Sequence, residues 1–244
     1  MRSARQLQGN KGDNEFLTLL HLDRHCAVVE KPGGLLAVPG RGADKQDCVV
    51  ARLRCLCPWS IAQPAVHRLD MDTSGLMVLG LTRDAHRNLS NQFARQQVTK
   101  VYLALVEGEL GKAAGVIRLA FRLDPDRRPL QVYDPKQGKL GVTAWKQLWQ
   151  AENRTLLALY PQTGRTHQLR LHTSHPLGLG CPIVGDRLYG QGQAGEPMCL
   201  HAAQLSFVHP AGGWRMRFCS RPPFLKNQPD LAGTPFPGHL CPED

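Results

Sequence analysis

A chain of 244 residues with 42% hydrophobic and 20% charged residues can bury a sizeable core, which excludes a disordered or collagen-like polymer. Thirty Lys plus Arg against 20 Asp plus Glu leave a net charge of +10, a balance that points to a polyanionic partner, with nucleic acid first. No stretch approaches the ~20 apolar residues of a membrane span, and MRSARQLQGNKGDNEFLTLL has no apolar run long enough for a signal peptide.

Residues 1–14 are polar and read as a flexible tail. CAVVEKPGGLLAVPG (26–40) reads as a strand, a Pro-Gly-Gly turn, a short strand and a Pro-Gly turn. DCVVARLRCLC (47–57) has helical spacing, with Val49, Val50, Leu53 and Leu56 on one side and Asp47 as the cap. LMVLGL (76–81) is a continuous apolar run, the pattern of a strand covered on both faces. Thr82 can cap the next helix, in which Ala85, Leu89 and Phe93 form the buried stripe and Arg83, Arg87 and Arg95 face solvent or a partner.

VTKVYLALVEGEL (98–110) is a nearly all-apolar strand that contains Tyr102. Residues 111–146, rich in Gly, Pro, Lys and Arg, read as hairpins and loops with a basic face. RTLLALYPQTG (154–164) reads as a strand and turn, and RTHQLRLHTSH (165–175) as a short helix ended by Pro176. LHAAQLSFVHP (200–210) and WRMRFCS (214–220) are late strands, and beyond Pro222 the density of Pro and Gly predicts an irregular tail, bounded as 225–244. Strands and helices mix without β-α-β alternation, so the fold class is α+β with a mixed, largely antiparallel sheet.

Eight cysteines form no C-x-x-C pair, so no paired-cluster zinc site is expected. Without an export signal the thiols are expected to be reduced, in a cytoplasmic protein, mostly as small buried hydrophobes. Nucleotide-binding glycine loops, G-x-S-x-G and H-E-x-x-H are all missing. His167, His172 and His175 are spaced by five and three, which does not put two imidazoles one helical turn apart, so no metal is expected there. What remains is acids, arginines and one tyrosine. HRLDMDTSGL (67–76) sets Asp70 and Asp72 beside Arg68, at the mouth of the apolar run. Alone, Asp70 reads as a turn aspartate capping the Thr73 or Ser74 amide, Arg165 as half of a surface salt bridge, and Tyr102 as core.

Taken together and in order, HRLDMDTSGLMVLGL, KVYLALVEG, GRTHQLRLH and CPIVGDRLYG resemble the RluA family of RNA pseudouridine synthases. EKPGGLLAVPGR (30–41) is similar to the family's Lys-Pro-x-Gly motif, and LHAAQLSFVHP to its late strand. The resemblance spans residues 20 to 220 and departs at Cys181, where many relatives have His before the Pro. VPGR and HRLDMDTSG are closest to the family's dual type, which has ribosomal and transfer RNA targets.

The resemblance implies one catalytic domain over 15–224, working without cofactor or metal as a monomer. It implies isomerisation of specific uridines in stem-loops of 23S ribosomal RNA, transfer RNA or both. Asp70 matches the essential carboxylate, which attacks C1′ or takes a proton from C2′. Arg165 matches the arginine that pairs with it, and Tyr102 the tyrosine that stacks on the base. Leu169 matches an apolar wall of the substrate site, with Thr166, His167 and Gln168 beside it. Arg68 matches a residue that holds the flipped-out conformation. The basic loops around Arg118, Arg122, Arg127, Arg128, Lys136, Lys139 and Lys146 are the expected RNA grip. Two other readings are a catalytically inactive RNA-binding or RNA-folding protein on the same fold, and a metal-dependent hydrolase using the histidines.

Overall fold

The computed structural model describes residues 17–226. The expected tail at 1–14 lies outside the described residues, as does all of the expected tail at 225–244 except its first two positions. In chain order the strands are β1 (Thr18–Leu22), β2 (Cys26–Lys31), β3 (Ser74–Gly80), β4 (Thr99–Glu107), β5 (Ala114–Leu123), β6 (Gln131–Tyr133), β7 (Lys139–Ala151), β8 (Arg154–Pro161), β9 (Leu200–Val208) and β10 (Arg215–Cys219). The helices are α1 (Val49–Leu56), α2 (Arg83–Ala94), α3 (Gln168–Ser174) and α4 (Pro223–Lys226). Contacts divide the described chain into two units, residues 17–99 with Gln204–Ser220, and Lys100–Ala203 with residues 221–226.

In the first unit β2 pairs antiparallel with β1 and with β3, and β10 pairs antiparallel with β9. All seven residues of β3 are buried, as its unbroken apolar run requires. Leu89 of α2 shares a core with Val28, Leu76, Val78, Leu205 and Phe207. Each such side chain, fully buried, contributes about 1.5–3 kcal/mol. The Thr82 hydroxyl accepts the Ala85 N–H at 3.3 Å, the cap expected for α2. Helix α2 comes so close to β3 that a Cβ on Gly80 would lie 2.6 Å from the His86 Cα, so only glycine fits.

Three local expectations differ from the structure. The cap of α1 is Cys48, whose Sγ accepts the Ala51 N–H at 3.3 Å, because Asp47 is held by Arg52 at 2.7 and 2.8 Å. Leu56 is exposed and only Val49, Val50 and Leu53 are buried. The short strand expected after the Pro-Gly-Gly turn reduces to a single bridge between Leu36 and Cys48.

The β1–β2 turn is closed by Asp23. Its Oδ1 accepts the N–H groups of His25 and Cys26 at 2.6 and 2.8 Å, and its Oδ2 lies 2.9 Å from His21 Nε2 and 2.8 Å from His209 Nε2. Burial pushes the Asp23 carboxyl up, but these hydrogen bonds outweigh it and hold the pKa well below the usual carboxylate range. Among the described residues, His21, Asp23, Cys26 and His209 are the one group spaced for a metal. The tautomer argues otherwise. His209 Nδ1 accepts the Gly212 and Ala211 N–H groups at 2.7 and 3.3 Å, so the proton sits on Nε2 and is donated to Asp23. A histidine ligating through Nε2 donates from Nδ1 instead.

In the second unit β8 lies between β4 and β7, β7 pairs with β5, and β5 with β6, all antiparallel. Residues 111–146, expected as hairpins and loops, are therefore mostly long strands. Arg118, Arg122 and Lys146 sit on alternate, outward positions and mask the period of two. Leu103, Leu105, Ile117, Leu119, Leu157 and Leu159 supply the sheet side of the core, and Leu169 and Leu171 of α3 pack into it. Helix α3 starts three residues later than expected, because His167 has φ 54°, a left-handed conformation that cannot propagate a helix. Past Pro222 the chain makes the helical turn α4 rather than an irregular segment, with Leu225 buried in this core.

His172 of α3 is fully buried with its ring edge-on to Phe121, and neither ring nitrogen has a partner among the described residues. Burial drives its pKa down from 6.5 to about 4, which corresponds to about 3 kcal/mol. The sign follows from proton uptake. The unfolded chain binds this proton first, so stability is full above pH 6.5 and falls as pH drops from 6.5 toward 4. His172→Leu is expected to flatten this limb and to leave stability at pH 7 unchanged or higher, since two unpaired polar atoms are gone. Urea midpoints at pH 7 and 4.5 check this; an acid limb like that of the wild type would refute it.

Candidate active site

Asp70 stands in the turn that leads into β3. The Thr73 N–H donates to the Asp70 carbonyl at 3.1 Å, so a backbone oxygen, not a side chain alone, closes this turn. Asp70 and Asp72 are half-buried, Leu69 is buried, and Arg68 and Met71 are exposed. The segment before the turn lies along β3. Ile61 N–H donates to Leu81 O at 3.0 Å, Gly80 N–H to Pro64 O at 2.8 Å, and Val78 N–H to His67 Nε2 at 3.1 Å. The His67 ring also stacks on Phe93 with centroids 4.5 Å apart.

Sequence reasoning missed the group beneath this turn. Lys31, at the end of β2, is fully buried. Its Nζ donates to the carbonyls of Pro32 (2.8 Å), Leu35 (2.7 Å) and Met71 (2.7 Å). Three acceptors match the three N–H donors that only the charged ammonium has. Burial lowers its pKa to about 7, with the charges of Asp72 and Asp70 pulling the other way. Gly34 N–H adds a bond to Met71 O at 2.9 Å. Lys31 thus ties the loop after β2 to the peptide between the two aspartates. The available signal was a lysine ending an otherwise apolar strand just before Pro-Gly-Gly.

Lys31→Met is expected to destabilise the fold by about 2 kcal/mol, since three carbonyls lose their donor while a buried charge is removed. Lys31→Arg should not restore it, because a planar fork cannot reproduce three converging bonds. Chemical denaturation of both variants is the check, and wild-type stability in Lys31→Met would sink the idea.

Tyr102, on β4 of the second unit, is half-buried opposite Leu159 of β8 and packs against the apolar core. Arg165 and Thr166 are exposed on the loop before α3, and His167, Gln168 and Leu169 are buried. Gln168 braces that loop. Its Oε1 accepts from Thr163 Oγ1 (2.7 Å) and Arg165 N–H (3.0 Å), and its Nε2 donates to Val142 O (3.1 Å) and Thr143 Oγ1 (3.0 Å). The Gln168 amide is thus engaged within the chain and fixes the backbone at Arg165. His167 is held likewise. The Tyr189 hydroxyl accepts the Gln131 N–H at 2.7 Å and is hydrogen-bonded to His167 Nδ1 at 2.8 Å.

A second buried charge fixes the loop after α3. Arg170 Nε and Nη2 grip Asp186 Oδ2 and Oδ1 at 2.7 and 2.6 Å. Asp186 Oδ1 also accepts the Leu188 and Tyr189 N–H groups, and the guanidinium lies 5.3 Å from the Tyr189 ring centre. Burial raises the Asp186 pKa, and Arg170 with these amides more than offsets it.

The seven basic residues expected to grip RNA do not share one face. Ala114 stands opposite Lys146, and Arg118 and Arg122 follow Ala114 at even steps on β5, so Lys146, Arg118 and Arg122 point to one side. Lys139 stands opposite Phe121 and points to the other. Arg122 is paired with Asp134 at 2.6 Å and Arg127 with Asp124 at 2.8 Å. Arg128 lies in the loop before β6, and Lys136 in the turn after it.

Antiparallel strands with few helices make this an α+β fold. The model of the RNA pseudouridylate synthase family matches residues 25–175, and this chain belongs to that family of isomerases, which turn uridine in RNA into pseudouridine. It is 39% identical over 213 residues to the dual-specificity RNA pseudouridine synthase RluA of Haemophilus influenzae, covering 86% of this chain and 94% of that protein. The identity to RluA of Escherichia coli K12 is also 39%, with the same coverage. Among solved structures, human RNA pseudouridylate synthase domain containing 1 superposes with a TM-score of 0.70 at 29% identity, covering 90% of this chain and 89% of that one. Human RNA pseudouridylate synthase domain containing 4 gives 0.66 at 26%, covering 84% and 88%.

Proposed function

We propose that this chain isomerises uridines in stem-loops of both ribosomal and transfer RNA, with Asp70 as the carboxylate at the glycosidic centre. The observation that carries this reading is the 39% identity, over 86% of the chain, to synthases of dual specificity. In the reaction the C1′–N1 bond breaks, the base turns, C5 joins C1′, N1 takes a proton and the C5 hydrogen leaves. Nothing is oxidised or imported, so no cofactor is called for. Asp70 serves either by adding to C1′ or by removing the C2′ proton. Tyr102 is the group for the base, Arg165 the cation for the Asp70 carboxylate, Leu169 an apolar wall, and Arg68 a group that helps to hold the flipped-out conformation. Arg118, Arg122 and Lys146, which share a face, are the first candidates for phosphate contacts, with Arg127, Arg128, Lys136 and Lys139 around them. The reading includes a monomer in the cytoplasm that needs no metal. Among the described residues no helix is long and apolar enough to cross a membrane.

The test uses stem-loops of ribosomal and transfer RNA carrying tritium at uridine C5. Since C5 must exchange its hydrogen for C1′, the purified chain should release one label per modified uridine in a chelating buffer. RNA binding without release would favour the inactive RNA-binding alternative.

A further inference from the structure

A cleft of about 420 Å3 opens in the first unit beside the Asp70 turn. Val38, Pro39 and Val66 give it an apolar lining, and Gln63 and Arg68 bring polar groups to it. Its far side, Ala65 and His67, is rigid. Ala65 bridges to Leu79 and its carbonyl lies 3.3 Å from His86 Nε2, while His67 is held by Val78 N–H and stacked on Phe93. The near wall is anchored as well, by Val50 N–H on Ala37 O at 3.3 Å and Gly40 N–H on Lys45 O at 2.8 Å. A pre-formed, open cleft that sets apolar side chains beside a few polar groups has room for one flat ligand.

Its place in the chain says which ligand. Arg68 lines the cleft and Asp70 follows two residues later, so the two Cα atoms are no more than about 7 Å apart. That is the scale of one nucleotide step along an unstacked strand. Gln63 is exposed, and among the described residues its amide makes no hydrogen bond within the chain. A free carboxamide presents a donor and an acceptor side by side, which match the N7 acceptor and N6 donor of adenine.

We propose that this cleft receives the base adjacent to the target uridine, that it favours adenine, and that Gln63 reads it. The assignment rests on the functional reading above and adds a specificity residue to it. Arg68 contributes cation and stem to the cleft wall, and Gln63 supplies the discrimination.

The experiment is label release from stem-loops that differ only in the bases flanking the uridine. The wild type is expected to favour adenine at one neighbouring position by about tenfold or more in kcat/KM, the discrimination of one bidentate base contact. Gln63→Ala should erase that preference while keeping kcat on saturating adenine-containing RNA within about twofold. Gln63→Glu, which offers only acceptors, should move the preference toward cytosine, whose N4 donates. A merely structural residue would change all substrates alike and would not switch the favoured base. An active wild type with no neighbour preference, or variants that retain it, overturns the base cleft alone. A wild type that releases no label from any stem-loop overturns the functional reading, and the cleft with it.

Discussion

Asp70→Asn is expected to lower pseudouridine formation by at least about 10⁴-fold, to background, while the protein stays folded. The amide nearly matches the carboxylate in shape but can neither add to C1′ nor take a proton from C2′. Around it the turn is made by the backbone, through Thr73 N–H on the Asp70 carbonyl and Lys31 and Gly34 on the Met71 carbonyl. A melting temperature close to that of the wild type, alongside lost label release, separates chemistry from folding. Turnover above about one per cent of wild type would move the glycosidic role to another residue.

Arg170→Met is expected to destabilise the protein by about 3–5 kcal/mol, the range for a buried ion pair stripped of one partner. Arg170 is 3% exposed and Asp186 fully buried, so no solvent replaces the lost fork. Against a total of about 5–15 kcal/mol this is enough to leave the variant partly unfolded. The double variant Arg170→Met, Asp186→Leu removes the orphaned charge and should recover a good part of the loss. The pH dependence has a definite sign. In the wild type the folded Asp186 pKa is lowered, so the stability this group contributes is present above its unfolded value of 3.8 and is lost as pH falls through the folded value. In Arg170→Met the buried carboxylate is unpaired, so its penalty is full at pH 7 and shrinks toward acid. Urea unfolding of the three proteins at pH 7 and 5 measures both effects; a loss under about 1 kcal/mol for the single variant would refute the argument.

What could be read from the amino acids depended on whether a signal was local. The unbroken run of β3 and the Thr82 cap of α2 involve neighbours in sequence, and both read through correctly. The α1 cap did not, because Asp47 has a better partner in Arg52, and a cysteine took the cap position. β5 and β7 were hidden by their own surface, since Arg118, Arg122 and Lys146 occupy the solvent side of a ladder whose inner side is Ile117, Leu119 and Trp145. At the candidate site, the motif order pointed to Asp70, Tyr102 and Arg165 as chemistry. It did not show what holds them. Lys31 finds Met71 forty positions on, Arg170 finds Asp186 sixteen on, and the Gln168 amide meets Thr163, Val142 and Thr143. Each of these is a buried polar group, and its partner comes from tertiary packing.

The Lys31 tether has a consequence for how this chain tolerates change. All three of its acceptors are main-chain carbonyls, which every amino acid carries. Positions 32, 35 and 71 can therefore vary in side chain without loosening the tether, so long as the backbone path is kept. Position 31 cannot, because no other residue offers three converging donors. In a library randomised at Met71, which is exposed, most members should be as stable as the wild type, whereas in one randomised at Lys31 nearly all should be weakened, by about 2 kcal/mol. The loop that carries Asp70 is thus fastened at one point of strict identity and is permissive around it, which leaves the neighbouring surface free to adapt to different RNA stem-loops.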